Sequence, residues 1–415
     1  MEKGKEMNKQ INQSVQSHQS QESVVQTLEG FKQTEVGWIP EDWEVKELGE
    51  IGKTYGGLSG KTKEDFKNGY YPYIPFLNVL NNVVIDINYF DYVKIKSGEN
   101  QNRAIKGDIF FNGSSETPEE VGMCAVLLDD VPNLYLNSFC FGFRIIEIQN
   151  IDGLFLTYFI RSGYGRKIFF IQAQGATRHN LSKTNFVNIP IPLPPTKAEQ
   201  TAIATALNDA DALIQKLEQL IAKKRLIKQG AMQELLKPKE GWEVKKLGDC
   251  TDCLDNLRVP LNESQRISMK GDYPYCGANG ILDYINDYKI NDEVILIAED
   301  GGYFDEYATR PIAYKMKGKF WVNNHAHILK AKPEYEQDFI FYSLVHKNIL
   351  TFLASGTRAK LNKSEMYKIE IDTPKDKSEQ TRIAQILTDM DSEIEALEKQ
   401  LEKYKKIKQG MMQVL

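Results

Sequence analysis

The chain has 415 residues, of which 41% are hydrophobic, 10% aromatic and 26% charged, and this composition excludes a wholly disordered chain, a collagen-like fibre and a disulfide-rich miniprotein. The length is enough for about two to three domains. The net charge of -5 argues against a protein that coats nucleic acid through bulk charge, but it is compatible with a local basic groove.

Residues 1–35 predict a flexible polar leader. Residues 1–30 are rich in Gln, Ser, Asn and Lys and contain few large apolar side chains, so they cannot bury enough surface to offset the entropy of ordering. A short frayed helix around Val24–Leu28 and a role as a docking arm both remain open. Globular sequence begins near Val36–Pro40.

A globular region is predicted over residues 36–195, with an apolar helix at about 154–172, and a long helix follows over 196–237. Thr196 and Glu199 fit a capping box at the start of the long helix, in which the Glu side chain reaches back to the cap. Apolar residues then step by 4, 3, 4 and 3, which is the repeat of a coiled-coil seam. The seam contains Ile203, Leu207, Ile214, Leu217 and Ile221.

The second half of the chain repeats this plan. A second globular region is predicted over 238–375, with an apolar helix at about 338–353, and a second long helix over 376–415. Asp376 and Glu379 occupy the capping positions of this helix. Its seam contains Ile383, Leu387, Ile394, Leu397 and Leu401.

The two long helices have the same length and the same seam, and neither seam is stable when exposed to water. We expect the helices to bury each other as an antiparallel pair within one chain, with the globular regions at opposite ends and related by a pseudo-twofold axis. Parallel pairing with a second chain, giving a homodimer, is the alternative. A plain spacer helix without a partner is a third reading.

An internal repeat relates the two halves. The heptapeptide Trp43–Gly49 returns as Trp242–Gly248, and residues 177–233 align without a gap to residues 357–413, with 26 identities in 57 positions. Glu-Gln-Thr, Lys-Gln-Gly and Met-Gln recur in register on the helices. Repeated polar identities on a helix exterior indicate a docking surface for two copies of a partner.

The interiors of the two globular regions match much less well. Asn137–Phe139 loosely corresponds to Asn323–His325, and Asp108–Asn112 to Asp292–Leu296. Similar frames around different contents indicate one scaffold that performs two different recognitions. Ordinary drift after duplication is the alternative.

Taken in order, these motifs resemble the specificity (S) subunit of type I restriction–modification enzymes, over about residues 36–415. In the second copy the Pro-rich run is thinned at Ile371–Pro374. The matching motifs are Gly37–Trp43, Thr177-Arg178 with Leu181–Lys183, Ile189–Pro195 running into Glu199-Gln200, Lys228–Gly230, and Trp321–His327 in the second half.

The resemblance implies an α+β fold in which two mixed α/β target recognition domains are separated by two long antiparallel coiled-coil helices. It also implies a non-catalytic chain that reads a bipartite, asymmetric site in double-stranded DNA, one half-site per domain. Two modification (adenine methyltransferase) subunits would dock on the helices, and two restriction (motor-nuclease) subunits could join them. No cofactor is expected in this chain, because S-adenosylmethionine, ATP and Mg would be bound by the partner subunits.

Candidate DNA contacts fall into two groups. Basic and polar residues after a glycine, at a turn that the backbone of DNA can approach, suit phosphate contacts; bracing of the junction between domain and helix is the alternative for the two arginines. These residues are Thr177, Arg178, His179 and Lys183, and Thr357, Arg358, Lys360 and Lys363. Candidate base-reading loops, each of which could equally be a plain turn, contribute Lys61, Lys63, Asn112, Ser114, Ser115, Asn279, Asp300 and Tyr303.

Other chemistries fit less well. Gly56–Thr62 lacks the glycine spacing of a P-loop, because Tyr55 stands where the first glycine is needed. Cys250 and Cys253 form a single Cys-x-x-Cys, which together with Cys276 and the histidines at 325 and 327 could supply zinc ligands in a zinc-dependent enzyme. The signature of adenine methyltransferases is absent. A scaffold that holds two protein-binding domains, without a DNA role, is the remaining alternative.

The five cysteines and the first residues of the chain bear on localisation. No apolar stretch follows Met1-Glu2-Lys3, so no secretory signal is expected. The apolar stretches elsewhere are much shorter than the ~20 residues that span a bilayer. We therefore expect a cytoplasmic protein with reduced thiols.

Overall fold

The computed structural model describes residues 30–175, 179–354, 359–413 and 415. Contacts divide the chain into two compact units. Unit 1 contains the residues up to Leu213 together with Tyr404–Leu415, and unit 2 contains Ile214–Lys403. Each unit therefore combines one globular domain with segments of both long helices.

The domain of unit 1 is a mixture of short strands and helices. Its strands are β1 Phe31–Thr34, β2 Gly37–Pro40, β3 Glu44–Glu47, β4 Gly52–Gly56, β5 Tyr71–Ile74, β6 Asp91–Val93, β7 Ile109–Asn112, β8 Ser114–Ser115, β9 Cys124–Val126, β10 Tyr135–Leu136, β11 Cys140–Ile145, β12 Ala173–Gln174, β13 His179–Leu181 and β14 Pro190–Leu193. Its helices are α1 Leu48–Ile51, α2 Lys63–Lys67, α3 Phe76–Asn81, α4 Gly153–Arg161, α5 Gly163–Gln172 and α6 Lys183–Val187.

The central sheet of unit 1 is antiparallel, in the order β4-β11-β7-β9. A second sheet, β10-β5-β6, contains the parallel pair β5–β10. The strand after Trp43 pairs with the Pro-rich strand β14, so the two motifs that flank the domain in the sequence meet in space. The core under the central sheet is rich in phenylalanine, including Phe111, Phe141, Phe143 and Phe186.

The domain of unit 2 has fewer and longer strands. They are β15 Trp242–Lys246, β16 Thr251–Cys253, β17 Lys270–Gly277, β18 Gly280–Ile285, β19 Ile290–Ala298, β20 Ala313–Val322, β21 Ala326–Ala331 and β22 Glu370–Pro374. Its short helices are α8 Leu247–Cys250, α9 Glu263–Ser268, α10 Gln337–Leu344 and α11 Lys363–Met366.

One six-stranded sheet, in the order β16-β21-β19-β20-β17-β18, dominates unit 2. Its β16-β21-β19 part corresponds to β4-β11-β7 of unit 1, and its parallel pair β17–β20 corresponds to β5–β10. β15 pairs with β22 as β3 pairs with β14. The two domains thus share a frame of pairings although their strands differ in length.

The long helices are α7 Lys197–Leu235 and α12 Lys377–Gln413. Every predicted seam residue is buried or half-buried. In unit 2 the later residues of α7 pair with the earlier residues of α12, since Lys224 contacts Glu393 at 2.6 Å and Arg225 contacts Glu398 at 2.6 Å. The helices therefore run antiparallel within one chain, and the predicted α+β fold with paired helices is confirmed.

Three predicted boundaries differ from the structure. The predicted flexible leader extends too far, because Phe31–Thr34 pairs with Gly37–Pro40 as a hairpin; residues 1–29, with the expected helix at 24–28, lie outside the described residues. The apolar helix at 154–172 is two helices, since α4 ends at Arg161 and α5 starts at Gly163. The apolar helix at 338–353 is shorter than predicted, since α10 ends at Leu344. Within the described residues, no helix is both long and apolar enough to cross a membrane.

Candidate nucleic-acid interface

Each domain brings three loops together at one edge, which we name the loop edge. In unit 1 it consists of residues 112–115, 137–139 and 179–180, and in unit 2 of residues 298–301, 323–325 and 360–361. The first two segments of each edge follow corresponding strands of the two shared frames, β7 and β10 in unit 1 and β19 and β20 in unit 2. Most of the candidate base-reading and phosphate-binding residues of unit 2 lie on or beside its loop edge.

The same backbone hydrogen bonds build the first half of both edges. In unit 1 the Asn137 side chain accepts a hydrogen bond from the backbone N–H of Phe139 at 2.9 Å, and the Phe139 carbonyl accepts from Gly113 at 3.1 Å. In unit 2 the Asn323 side chain accepts from the N–H of His325 at 2.8 Å. An Asn side chain that bonds the backbone two residues on fixes a tight turn.

The third loop is attached in the same way in both units. The Leu181 N–H donates to the Gly113 carbonyl at 3.0 Å, and the Leu361 N–H donates to the Glu299 carbonyl at 2.7 Å. The Glu299 N–H donates in turn to the His325 carbonyl at 2.8 Å. The two edges therefore have one backbone geometry.

The side chains on the two edges are different. Unit 1 presents Phe139, whose exposed fraction is 59%, beside the half-buried Ser114 and His179. Unit 2 presents His325, with a side chain 45% exposed, and its Nδ1 is bonded to the Asp300 carboxylate. One edge is thus apolar and aromatic at its centre, and the other is polar.

Two further candidates lie beside the edge of unit 2. Asn279 is exposed and donates to the Gly301 carbonyl at 2.9 Å. Tyr303 stacks under the Arg310 guanidinium, whose carbon lies 3.1 Å from the ring centroid. Both belong to the loops that sequence analysis selected.

Three other candidates are engaged inside the protein. The Lys61 ammonium binds the Glu99 carboxylate, and its side chain is only 5% exposed. Asn112 is buried and donates to the Glu120 carbonyl at 2.8 Å, and Ser115 is buried against the same Glu side chain. Their burial argues against direct contact with a base, and no signal in the local sequence distinguishes them from exposed turn residues.

The candidate phosphate contacts divide into three sets. Thr177, Arg178, Thr357 and Arg358 lie outside the described residues. Lys183 and Lys363 are exposed first residues of α6 and α11, at equivalent positions of the repeat. Lys360 is exposed but paired with Glu299 at 2.9 Å, and His179 is half-buried on β13. Of the candidate base readers, Lys63 is exposed at the start of α2.

Beneath the loop edge the two domains differ in kind. In unit 1, Phe141 pairs across the sheet with Phe111 and stacks on it at 5.4 Å between ring centroids. In unit 2 the corresponding pair is His327 and Ile297. A buried aromatic cluster therefore occupies the place where unit 2 has a buried histidine.

The buried histidine is the centre of an ionic network. His327 Nδ1 lies 2.6 Å from Asp255 Oδ2, and its Nε2 donates to the Leu361 carbonyl at 2.8 Å. Arg258 contacts both Asp255 and Glu299. Burial by itself raises the pKa of Asp255, but the hydrogen bond and charge of His327 outweigh it and hold that pKa at about 2.

The zinc hypothesis can be compared with this geometry. Of the residues that the structure describes, Cys253, Asp255 and His327 bring a thiol, a carboxylate and an imidazole within 4.8 Å of one another. Neither Cys250 nor Cys276 belongs to this group, so the predicted ligand set is not assembled. Both ring nitrogens of His327 already take part in hydrogen bonds, and burial raises the pKa of the Cys253 thiol to about 11.

The junction of each domain with its helix depends on residues that the sequence analysis assigned to an exterior. Gln200 and Gln380, the central residues of the repeated Glu-Gln-Thr, are buried. Gln200 accepts from the Asp152 N–H at 2.8 Å, and Gln380 accepts from the Glu336 N–H at 2.9 Å. Each also donates to a proline carbonyl at the end of the preceding strand. This part of the predicted docking surface is instead an internal contact.

A second internal contact was missed in the same way. In unit 1 the Tyr158 hydroxyl donates to Asp211 at 2.9 Å, and Lys408 binds the same carboxylate. In unit 2 the corresponding triplet has the Tyr342 hydroxyl 2.7 Å from an Asp391 oxygen, with Lys228 on the other oxygen. Each triplet joins a domain helix to both long helices.

The amino-acid sequence matches the family model described as the type I restriction modification DNA specificity domain, twice, over residues 40–224 and 239–408. A putative type I restriction enzyme specificity subunit of Haemophilus influenzae is 40% identical over 150 residues, which span 36% of this chain and 37% of that protein. The putative type I restriction enzyme MjaX specificity subunit of Methanocaldococcus jannaschii is 27% identical over 93% of this chain and 96% of its own.

Solved structures show the same fold. The S subunit of a type I restriction-modification system from M. genitalium superposes with a TM-score of 0.63 at 17% identity, covering 90% of this chain and 95% of that chain. The family model accounts for most of the chain and matches both halves of the internal repeat. The chain therefore belongs to the type I restriction enzyme specificity subunits and carries two copies of their DNA specificity domain.

Proposed function

We propose that this chain is the DNA-recognition subunit of a type I restriction–modification complex, in which each domain reads one half of a bipartite, asymmetric site. The observation that carries the proposal is the pair of loop edges, which have one backbone geometry and different side chains. A duplicated reading surface with Phe139 in one copy and His325 in the other suits two unlike half-sites. Base edges in the major groove supply the chemistry that such side chains distinguish.

The chain has no catalytic role in this proposal. Methylation of adenine belongs to two modification subunits that bind S-adenosylmethionine, and motor and nuclease activities belong to restriction subunits that use ATP and Mg. The net charge of -5 supports this division, because a protein that binds DNA alone through phosphate contacts needs a basic surface. We expect the partners to supply most of the backbone contacts.

The long helices remain the docking surface for the modification subunits, but with a smaller set of residues than the repeat suggested. Gln229, Gly230 and Gln233 are exposed on α7, and Gln409, Gly410 and Gln413 are exposed at the same positions of α12. None of these six residues belongs to the buried Gln or triplet contacts. Two equal sets on two helices suit two copies of one partner.

Electrophoretic mobility shifts, with and without the cognate methyltransferase subunits, test the proposal. Duplexes that carry the methylated motif of the host should shift selectively when the methyltransferase is present, and only weakly with this chain alone. Absence of a selective shift under both conditions would instead support a scaffold without a DNA role. Metal analysis of the purified chain tests the zinc-dependent enzyme separately.

A further inference from the structure

We propose that residues 139 and 325 are matched specificity-determining positions, at which Phe139 contacts a thymine methyl group in one half-site and His325 hydrogen-bonds a base edge in the other. This inference rests on the proposed function, because it assigns residues to the reading of each half-site. Beyond the proposed function, one reading position is assigned to each domain, together with the chemical group of the base pair that it contacts.

Residues 139 and 325 occupy equivalent places in the two domains. Asn137 and Asn323 each begin the loop, and their N–H groups donate to the Ile74 and Cys276 carbonyls of corresponding strands, at 3.2 and 3.0 Å. Each Asn side chain then fixes the backbone two residues on. The frame therefore holds residue 139 in one domain and residue 325 in the other at the same point of the loop edge.

The Phe139 side chain is exposed at the surface of unit 1. Phe139 is 59% exposed, although burying a phenylalanine side chain is worth about 1.5–3 kcal/mol. It lies beside a cavity of about 570 Å³ whose lining includes Tyr73, Phe76 and Tyr89. An exposed aromatic side chain beside other apolar side chains, held on a hydrogen-bonded turn, marks a surface that a partner covers.

The two side chains suit different features of the base edges. In the major groove the thymine methyl is the apolar group of the base edges, and it is contacted by apolar side chains such as Phe. His325 is bonded through Nδ1 to Asp300, which fixes the orientation of the ring. Its Nε2 is the ring nitrogen that a base edge can then reach. One position thus suits an apolar base feature and the other a hydrogen-bonding one.

An exposed lysine lies beside each of the two positions. Lys363 in unit 2 and Lys183 in unit 1 are exposed at the first turn of the helix that follows the third loop of each edge. Lysines beside a reading position supply phosphate contacts, which fix the register of the domain on the duplex but carry no sequence information. Substitution of residue 139 or 325 should therefore change the base preference, whereas substitution of these lysines should weaken binding to all sequences.

The test uses the full chain, co-expressed with its cognate methyltransferase subunits in a host that lacks adenine methylation. Sequencing of methylated adenines first gives the wild-type motif. His325→Ala and His325→Phe should then relax or change one base pair of one half-site, and Phe139→Ala should relax a thymine position of the other. Lys317→Ala is the control, because this exposed lysine of unit 2 lies on β20 outside the loop edge and pairs with Glu293 at 3.1 Å.

Mobility shifts of the assembled complex on duplexes altered one base pair at a time give the size of the effect. Discrimination at the affected base pair should fall about 5- to 150-fold, which corresponds to the 1–3 kcal/mol of one base contact. Lys363→Ala should weaken binding to all duplexes alike. Thermal unfolding of each variant shows whether the domain is intact, and His325→Gln retains a hydrogen-bonding side chain if the other variants unfold.

The outcomes separate the two proposals. If wild type yields no bipartite motif, the proposed function fails. If wild type yields one but folded His325 and Phe139 variants keep every base preference, or lose affinity equally on all duplexes, then the assignment of these two positions is wrong and the proposed function stands.

Discussion

The two domains share a backbone frame but fill the core beneath the loop edge with different kinds of side chain. In unit 1, Phe141 stacks on Phe111 and contacts Phe186 with 5.1 Å between ring centroids. In unit 2 the corresponding position is His327, which is buried against Asp255. A cluster of apolar side chains excludes charged groups but needs no specific hydrogen-bonding partner. A buried ion pair, in contrast, is stable only when both charged groups are present. The shared strand pairing is therefore compatible with an aromatic or an ionic core. The side chains of the loop edge can then differ between the two domains without a change in the backbone frame.

The largest expected effect comes from the aromatic side of this comparison. Phe141→Ala removes a fully packed ring, and we expect the free energy of unfolding of unit 1 to fall by about 3–5 kcal/mol. The change is measured by chemical denaturation, with unfolding of unit 1 monitored through hydrogen exchange of residues 30–175. Ile171→Ala, at a side chain of α5 that is 77% exposed, is the control and should stay within about 0.5 kcal/mol. A small effect of Phe141→Ala would show that the cluster is not the core of the domain.

The ionic side should respond to pH as well as to mutation. Asp255→Asn leaves His327 and Arg258 without their shared carboxylate, and we expect a loss of about 3 kcal/mol in unit 2 at pH 7. The pKa of Asp255 is about 2, below its ordinary value of 3.8, so the carboxylate stabilises the folded state above pH 4. That contribution is lost as the pH falls from about 4 to 2.

The difference between wild type and Asp255→Asn should therefore shrink over the same pH range, while the effect of Phe141→Ala stays constant. Asp305→Asn, at an exposed aspartate of unit 2, is the control and should show neither effect. A pH-independent loss for Asp255→Asn would contradict the assignment of this carboxylate to the network.

The buried glutamines should behave alike in the two units, in contrast to the interiors. Gln200→Ala and Gln380→Ala each leave a backbone N–H of the domain without its acceptor, at Asp152 and Glu336. Each substitution should lower the stability of its own unit by about 1–3 kcal/mol. Gln229→Ala, at an exposed position of α7, should have almost no effect on unfolding. Unequal losses at the two positions would show that the junctions are not equivalent.

The smallest expected effect lies at the starts of the long helices. Thr196 accepts a hydrogen bond from the Glu199 N–H at 3.2 Å, and Asp376 accepts one from the Ser378 N–H at 2.8 Å. Thr196→Ala and Asp376→Ala should each cost about 1 kcal/mol, measured by thermal unfolding. Lys197→Ala and Lys377→Ala would be poor controls, because both lysines bond backbone carbonyls of their domains, so Ala198→Ser at an exposed position serves instead.

The long helices and their pairing were predictable because a 3.5-residue apolar repeat sustained along two helices has few physical solutions. The burial of Gln200 and the internal ion pair of Lys228 were not predicted, because a polar residue in a helix is ordinarily expected to be exposed. Only the tertiary structure shows that a domain covers these side chains. The capping prediction at Thr196 is confirmed, but the Glu199 carboxylate accepts from the Trp43 indole N–H at 3.4 Å.

The loop edges were predictable only in part. Loops with Gly, Asn and Ser are typical of turns whatever their burial, so the local sequence could not separate the buried Asn112 from the exposed Asn279. The correspondence of Phe139 with His325 was visible as a weak echo around Asn137 and Asn323. Its meaning depends on backbone hydrogen bonds between segments more than twenty residues apart, which no local pattern encodes.

The placement of the last residues within unit 1 has a consequence for biosynthesis. Met411, Met412 and Leu415 pack on the core of the first domain, and Lys408 binds Asp211. During translation, residues 30–213 leave the ribosome nearly two hundred residues before these partners are made. The packing of the first domain is therefore completed only when the end of α12 has been made. A nascent chain that stalls before that point exposes apolar surface on the first domain, although residues 30–213 have already been synthesised.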